Sequence, residues 1–298
     1  MKNKNIKTWI IASVIALTPL SASAEENLWV YTKGTDTRPK GSLELKLSNI
    51  MRVGKNSGDY VFNDIRPEIE YGITDRLTIG AEIMIFDHDY QVDDSNLNPM
   101  YETQQAIGTE GRVQKTQLAG YEINMKYNFL SPYKDVMGLT MGLGYEKRTK
   151  YRLDGADISQ HSIVHTLLAQ KNFLDDLLVF AFNWKTEFER RRSPGILENE
   201  LAFDVSAGAS YRIAPKHFIG FEIRHQSDYL SPYNTTTGQY EDPNLDPTDF
   251  TSLSIGSQHQ NGIYMGPTYH YAEEKWHFTA GMLMQVYGGG SEHAYVKN

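Results

Sequence analysis

The chain has 298 residues, a formal net charge of −8 at pH 7, 19 tyrosines and no cysteine. The lack of cysteine excludes disulfides and thiolate metal sites, and the acidic balance argues against a nucleic-acid partner, which usually requires a basic surface. The mean hydropathy of −0.49 still allows a membrane barrel, because barrel strands need apolar residues only at alternate positions and their loops are polar.

The first 24 residues follow the pattern of a secretory signal peptide. Three lysines within residues 2–7 precede an apolar run from Trp9 to Leu17, and Ala22-Ser23-Ala24 provides a small-residue cleavage site. The apolar run is shorter than the roughly 20 residues that a membrane-spanning helix needs. We therefore predict a cleaved signal peptide at 1–24 and a single barrel domain at 25–298.

Alternation of apolar and polar residues runs through the rest of the chain and is clearest from Asp64 to Phe86. Such alternation predicts strands with one apolar and one polar face. No helical periodicity is visible, so no second layer is available to cover the apolar face. The pattern therefore predicts an all-β fold, a transmembrane antiparallel up-and-down β-barrel with lipid outside.

Eleven strands follow from this alternation. They start near Leu43, Asp64, Leu77, Gly120, Gly138, His161, Leu178, Glu200, Ile219, Ile263 and Phe278. Tight turns alternate with generally longer loops, and the strand that starts near Leu178 should turn at Arg190–Gly195. The longest loops run from about Gln91 to Arg112 and from about Tyr229 to Gln258, and they should lie outside the cell. Single-chain bacterial barrels usually have an even number of strands. We therefore predict about 12 strands, with the last supplied by Leu28–Thr32, by Ser291–Asn298 or by residues beyond this sequence.

Three short segments resemble a known group of proteins. They are Pro39-Lys40-Gly41-Ser42-Leu43-Glu44, Glu70-Tyr71-Gly72-Ile73-Thr74-Asp75-Arg76-Leu77 and Gly220-Phe221-Glu222-Ile223-Arg224. They resemble an uncharacterised Gram-negative outer-membrane β-barrel family that is similar to outer-membrane components linked to phenol meta-cleavage pathways. The resemblance implies location in the cell outer membrane and passage of small molecules. It carries over no catalytic residue.

Alternate residues of a strand share one face, a property termed strand parity below. The face that carries the charged residues is predicted to point into the barrel, because Lys or Arg facing lipid at mid-depth would cost about 2–4 kcal/mol. The side chains predicted to line the lumen are Glu68, Glu70, Glu82, Glu122, Lys126, Lys185, Glu187, Asp204, Arg212, Glu222 and Arg224. Acids outnumber bases, so an open lumen should prefer cations. The alternative is that acids and bases pair across a narrow interior and close it, since a barrel of this size is well below a wide porin.

These observations favour a passive channel or porin for small solutes, without enzymatic activity and without a cofactor. A closed structural barrel that transports nothing is the alternative. The expected partners are outer-membrane lipid and lipopolysaccharide, the outer-membrane assembly machinery and small solutes.

A lipid hydrolase is a further alternative. His225 and Ser227 lie two residues apart on one strand, which places them on the same, lipid-facing side. Outer-membrane lipid hydrolases carry a similar His-x-Ser pair, usually followed by Asn, whereas Asp228 follows here. A base beside a hydroxyl is the minimum for an activated nucleophile.

No metal site is predicted. The segment Asp242–Pro247 has the alternating oxygen ligands of a calcium loop, but it lacks the glycine and the bidentate glutamate that such a loop needs. His161 and His165 are four residues apart, a spacing that aligns ligands on a helix rather than on a strand.

Overall fold

The computed structural model describes residues 27–54, 58–91, 112–240 and 258–290. The predicted signal peptide, most of the two longest loops, the calcium-like segment at 242–247 and the candidate last strand at 291–298 lie outside the described residues. No helix in the described part of the chain is long and apolar enough to cross a membrane.

Thirteen strands form one antiparallel sheet in the described residues. They are β1 (Leu43–Val53), β2 (Asp59–Thr74), β3 (Leu77–Gln91), β4 (Val113–Leu130), β5 (Gly138–Lys150), β6 (Asp157–Phe173), β7 (Leu178–Ser193), β8 (Ile196–Ala214), β9 (His217–Asn234), β10 (Gln239–Tyr240), β11 (Gln258–Ala272), β12 (His277–Gly281) and β13 (Met284–Gly290). From β1 to β9 each strand pairs with the next in sequence, and β11 then pairs with β9. This confirms the predicted all-β, antiparallel up-and-down β-barrel.

The strand predicted to start near Phe278 is present in two parts. Both β12 and β13 pair with β11, and they are separated at Met282 and Leu283. At this break Gly266 lies so close to the neighbouring backbone that a Cβ there would be 1.8 Å from the carbonyl oxygen of Met282. A glycine is therefore required where the strand bends.

Two predicted strand ends are wrong. β7 continues to Ser193 and β9 to Asn234, beyond the turn expected from Arg190 and the loop expected from Tyr229. Arg190 pairs with Asn199, and Tyr229 pairs with Leu201 and His259. Cross-strand hydrogen bonding extends the ladder through polar sequence that locally suggests a loop.

The two faces of the wall differ as the alternation predicts. Outward side chains such as Leu45, Ile83 and Ile123 are 43%, 48% and 57% exposed, whereas Glu70 and Glu222 on the inward face are buried. Exposed apolar bands of this kind suit a lipid environment.

The ends of the barrel are distinguished by their connections. One end, here termed the turn end, carries the connections at 75–76, 131–137, 174–177, 215–216 and 273–276; the other, the loop end, carries those at 151–156 and 194–195 and the long connections. At the turn end Lys216 donates to Glu273 over 2.7 Å, and this hydrogen bond lowers the pKa of the Glu273 carboxyl. The pair is exposed, so its effect on stability is small.

One edge of the sheet is β1, and the other is the divided strand formed by β12 and β13. Among the described residues β1 pairs only with β2, and β12 only with β11. Nδ1 of His277 in β12 lies 3.9 Å from the carboxylate of Glu44 in β1. Side chains of the first and last strands of the sheet therefore approach each other. Leu28–Thr32, one candidate for the twelfth strand, is not part of the wall and lies inside it.

Candidate functional site

The chain before β1 lies on the inner wall of the barrel. This segment, residues 27–41, is termed the N-terminal strap. Its first carbonyl, that of Asn27, accepts a 2.6 Å hydrogen bond from Thr279 of β12. The amide of Lys33 donates to Asn183 of β7 over 2.6 Å, and the amide of Thr35 donates to Gln170 of β6 over 3.0 Å.

The strap continues along the wall towards β1. The carbonyl of Thr35 accepts a 2.8 Å hydrogen bond from Asn128 of β4 and a short one from Thr140 of β5. The amide of Arg38 then donates to the hydroxyl of Thr78 in β3 over 2.8 Å. The strap therefore crosses the barrel interior from the last wall strands to the first.

Glu222 of β9 is the main anchor of the strap. Its carboxylate accepts hydrogen bonds from the amides of Val30 (3.2 Å), Tyr31 (2.9 Å) and Thr32, and from the hydroxyl of Thr32 at 2.8 Å. Glu222 is fully buried. Hydrogen bonds to a charged acceptor are stronger than neutral ones, so one carboxylate holds three successive residues of the strap.

Trp29 is the largest side chain that the strap places in the interior. It is 2% exposed and packs with Val179, Ala181 and Phe218. A Cβ on Gly208 would lie 2.4 Å from the indole nitrogen of Trp29. Glycine at this inward position therefore provides the space that the indole ring occupies.

Charged side chains from the strap and from β1, β2 and β4 meet near the turn end. Nη2 of Arg38 lies 2.6 Å from the carboxylate of Glu44. Glu70 lies 2.7 Å from Nζ of Lys46 and 3.3 Å from Nζ of Lys126. Arg38 has 0% side-chain exposure and Glu70 has 5%, so the contacts hold the strap in a desolvated place.

The middle of the wall carries glutamates in a single register row. On neighbouring strands, Glu68 lies opposite Glu82, Glu82 opposite Glu122, and Glu122 opposite Glu146. The row then passes through Ser162, which lies between Glu146 and Glu189. It ends with Glu189 opposite Glu200. We term these six glutamates the glutamate row. Like charges directly opposite each other destabilise a sheet, so this arrangement needs compensation.

Two arginines supply part of that compensation. Arg66 forms a fork with Asp64, with distances of 2.8 and 2.9 Å, and a short contact with Glu82. Arg148 donates to Glu146 over 2.5 Å and to Glu189 over 3.0 Å. The planar guanidinium suits such bidentate contacts.

The loop end is closed on one side by the β5–β6 connection, which folds inward. Leu153 is buried with an apolar cluster formed by Tyr60, Phe62, Met84, Phe86, Tyr90 and Ala119. Tyr60 donates to the carbonyl of Leu153 over 2.9 Å, and Tyr90 to that of Asp154 over 3.1 Å. The interior is therefore packed at this end as well.

The structure places all 11 predicted lumen residues on the inward face, buried or half-buried. Most of them have a charged partner: Lys185 lies 2.7 Å from Glu187, and Nε of Arg224 lies 2.9 Å from Asp204. Arg212 is separate, since it donates to the carbonyl of Asp175 at the turn end over 3.1 Å. These ion pairs join residues of one strand or of neighbouring strands and do not bridge the interior. Pairing across a closed interior and an open, water-filled path therefore both remain predictions.

Sequence reasoning missed several residues of this interior. Arg148 is spaced two residues from Glu146 and shares its face, so strand parity could have found it. Arg38 and Arg152 lie outside the alternating segments, and nothing in their local sequence indicates that they point inward. Arg152 reaches Glu146 at 3.6 Å and Asp64 at 3.8 Å.

Ser227 contacts a different histidine from the one considered beside it in the lipid-hydrolase alternative. The hydroxyl of Ser227 lies 2.9 Å from Nε2 of His259 on β11, whose ring stacks on Tyr229 at 4.4 Å. His225 is exposed on the outward face and lies two residues nearer the turn end than Ser227. Because His259 is distant in sequence, only the strand register brings it beside Ser227.

The two histidines that were considered as metal ligands, His161 and His165, both lie on β6. His161 instead contacts Tyr145 and Lys147 at 2.6 and 2.8 Å. Within the described ranges, no group of three or more histidines and carboxylates could hold a metal ion.

One protein family matches the chain over most of its length. No curated protein matches it significantly. A family model described as a family of unknown function, DUF6662, matches residues 21–298. Because the match includes almost the whole sequence, the chain belongs to this family of unknown function, DUF6662.

Proposed function

We propose that this protein is an outer-membrane β-barrel that passes small solutes, cations in preference, when its N-terminal strap leaves the lumen. While the strap is in place the barrel is closed. The glutamate row carries this proposal. Rings of acidic side chains are the usual means by which pores prefer cations, and here six glutamates share one row of the inner wall.

The attachment of the strap supports reversible closure. Wall side chains such as Glu222, Asn183 and Gln170 make the contacts described above, whereas no strand of the wall pairs with the strap in the described residues. Removing the strap would therefore break no β-ladder. The strap joins β1 at the turn end, where the amide of Gly41 donates to Gly72 over 2.8 Å, so it can leave through that end.

The outer-membrane location rests on the barrel fold, the exposed apolar wall and the signal-peptide pattern of residues 1–24. The resemblance to an uncharacterised outer-membrane β-barrel family, itself similar to outer-membrane components linked to phenol meta-cleavage pathways, agrees with passage of small molecules. The identity of the solute is left to a solute screen in proteoliposomes.

Ion selectivity tests the proposed role of the glutamate row. We expect the refolded protein in a planar bilayer, under a salt gradient, to show rare openings that prefer cations. Replacing Glu82 and Glu122 together with glutamine should move the reversal potential towards zero, because two lumen charges are lost. The matched control, Glu273→Gln and Glu274→Gln at the exposed turn, should leave it unchanged. Equal selectivity of the row variant and the wild type would contradict the proposal.

A second candidate function is hydrolysis of lipid esters at Ser227. The 2.9 Å contact with His259 supplies a nucleophile beside a base, and Asn261 lies directly opposite Ser227 on the outward face. A membrane lipid approaching this face would first meet the exposed ring of His259, because Ser227 itself is 6% exposed.

The second candidate makes a separate prediction. Ser227→Ala should abolish release of fatty acid from phospholipid micelles containing calcium, because the nucleophile is removed, whereas Ser231→Ala on the same strand should not. Fatty-acid release is measured by titration or mass spectrometry. A folded wild-type barrel that releases no fatty acid would rule out this candidate.

A further inference from the structure

Three neighbouring strands carry basic side chains on their outward face near the loop end. Lys147 of β5 lies opposite His161 of β6, which lies opposite Arg190 of β7. Arg192 is two residues further along β7, opposite Ser159. The side chains of Ser159, His161, Arg190 and Arg192 are exposed, and that of Lys147 is half-buried. Lys147, His161, Arg190 and Arg192 are termed the outer basic row.

An apolar row lies directly beneath the outer basic row, on the side of the turn end. Tyr145 pairs with Ile163, and Ile163 pairs with Phe188. Their side chains are 39%, 59% and 58% exposed. In a membrane these residues contact hydrocarbon, and arginine or lysine at mid-depth would cost about 2–4 kcal/mol. The outer basic row therefore lies at the level of the lipid headgroups.

The ammonium group of Lys147 is held by two hydrogen bonds and keeps a third N–H donor for a ligand. Nζ of Lys147 donates to the hydroxyl of Ser159 and to Nε2 of His161, both over 2.8 Å. An ammonium has three N–H donors, so one remains for a ligand. Because Nε2 of His161 accepts this bond, the neutral ring carries its proton on Nδ1 and donates it to Tyr145, 2.6 Å away.

The arginines of the row have no anionic partner within the described residues. Arg190 and Arg192 make no ion pair or side-chain hydrogen bond there. The carboxylates next to them in sequence or register point inward, where Glu189 binds Arg148 and Glu198 binds Arg191. The row is thus an uncompensated cationic surface, and guanidinium groups match the geometry of phosphate.

We propose that the outer basic row binds phosphate groups of lipopolysaccharide in the outer leaflet. This inference rests on the outer-membrane location proposed above. Neighbouring strands are about 4.8 Å apart, so Lys147 and Arg190, two strands apart, can contact one phosphorylated sugar headgroup. The acyl chains of the same lipid then lie against Tyr145, Ile163 and Phe188.

Binding of lipid A to the purified barrel in neutral detergent tests this site. We expect the triple variant Lys147→Gln, Arg190→Gln, Arg192→Gln to bind bisphosphorylated lipid A about tenfold or more weakly, because three charged donors are lost. The control variant Arg76→Gln, Lys134→Gln, Lys275→Gln removes the same charge from the exposed turn end and should bind like the wild type. Native mass spectrometry gives the bound fraction at each lipid concentration.

Two further binding measurements identify which part of the lipid the site recognises. Lipid A without its phosphates should bind the wild type as weakly as the triple variant binds the phosphorylated lipid. Millimolar inorganic phosphate should not displace lipid A, since it lacks acyl chains. Equal binding by the triple variant and the wild type, or displacement by free phosphate, would overturn the proposal. Because no conductance is measured, failure of this site is distinguishable from failure of the channel.

Discussion

Replacing Glu222 with alanine is expected to raise the open probability of the barrel by roughly ten- to a hundredfold. The variant removes the acceptor for the amides of Val30, Tyr31 and Thr32. Hydrogen bonds to a charged group contribute about 1.5–3 kcal/mol, and each 1.4 kcal/mol changes a population about tenfold. The strap should therefore leave the lumen more often. Single-channel recording in planar bilayers measures the open probability.

An independent variant displaces the strap by steric overlap. Gly208→Val places methyl groups where the indole ring of Trp29 lies, so it should open the barrel in the same direction as Glu222→Ala. Ala207→Val adds similar volume to the adjacent outward residue and should have no effect. If both strap variants fold and remain as silent as the wild type, the strap does not close the lumen.

Replacing Arg66 with methionine is expected to lower the free energy of unfolding by about 3–5 kcal/mol, the usual cost of removing one partner from a buried ion pair. Arg66 contacts Asp64 and Glu82 and lies 3.9 Å from Glu146. Without it, these carboxylates face one another in a desolvated interior. Urea titration of the refolded barrel measures the loss.

The loss should also depend on pH. Carboxylates without a counterion bind protons more readily in the folded state than in the unfolded state. The loss in free energy of unfolding caused by Arg66→Met should therefore become smaller as the pH falls. Arg66→Lys keeps the charge and should lose less stability. Arg212→Met, at an exposed contact with the Asp175 carbonyl, should change stability by about 1 kcal/mol or less. A similar loss for Arg66→Met and Arg212→Met would mean that Arg66 does not compensate the row.

The wall of the barrel could be predicted from the sequence because a strand places successive side chains on opposite faces. The alternation around Asp64 and Phe86 therefore identified the hairpin, and parity placed Glu82, Glu122 and Glu222 inside. This information is local. It required no knowledge of which strands are neighbours.

The contents of the barrel could not be predicted in this way. The strap has no alternation, and its contacts are to side chains such as Glu222 that lie about 190 residues away. Register also joins residues that are distant in sequence, as in the glutamate row and in the contact between Ser227 and His259. Parity gives the face of a residue, but only strand pairing gives its neighbours along that face.

The most direct test of closure by the strap is a reversible disulfide between the strap and the wall. The hydroxyl oxygens of Thr32 and Ser206 are 3.0 Å apart, and the chain has no cysteine of its own, so Thr32→Cys with Ser206→Cys gives a single defined bridge. Conductance of one bilayer is recorded with the bridge oxidised and again after reduction. We predict no openings in the oxidised state and cation-preferring openings after reduction. Equal conductance in both states, with the bridge verified by mass spectrometry, would contradict closure of the lumen by the strap.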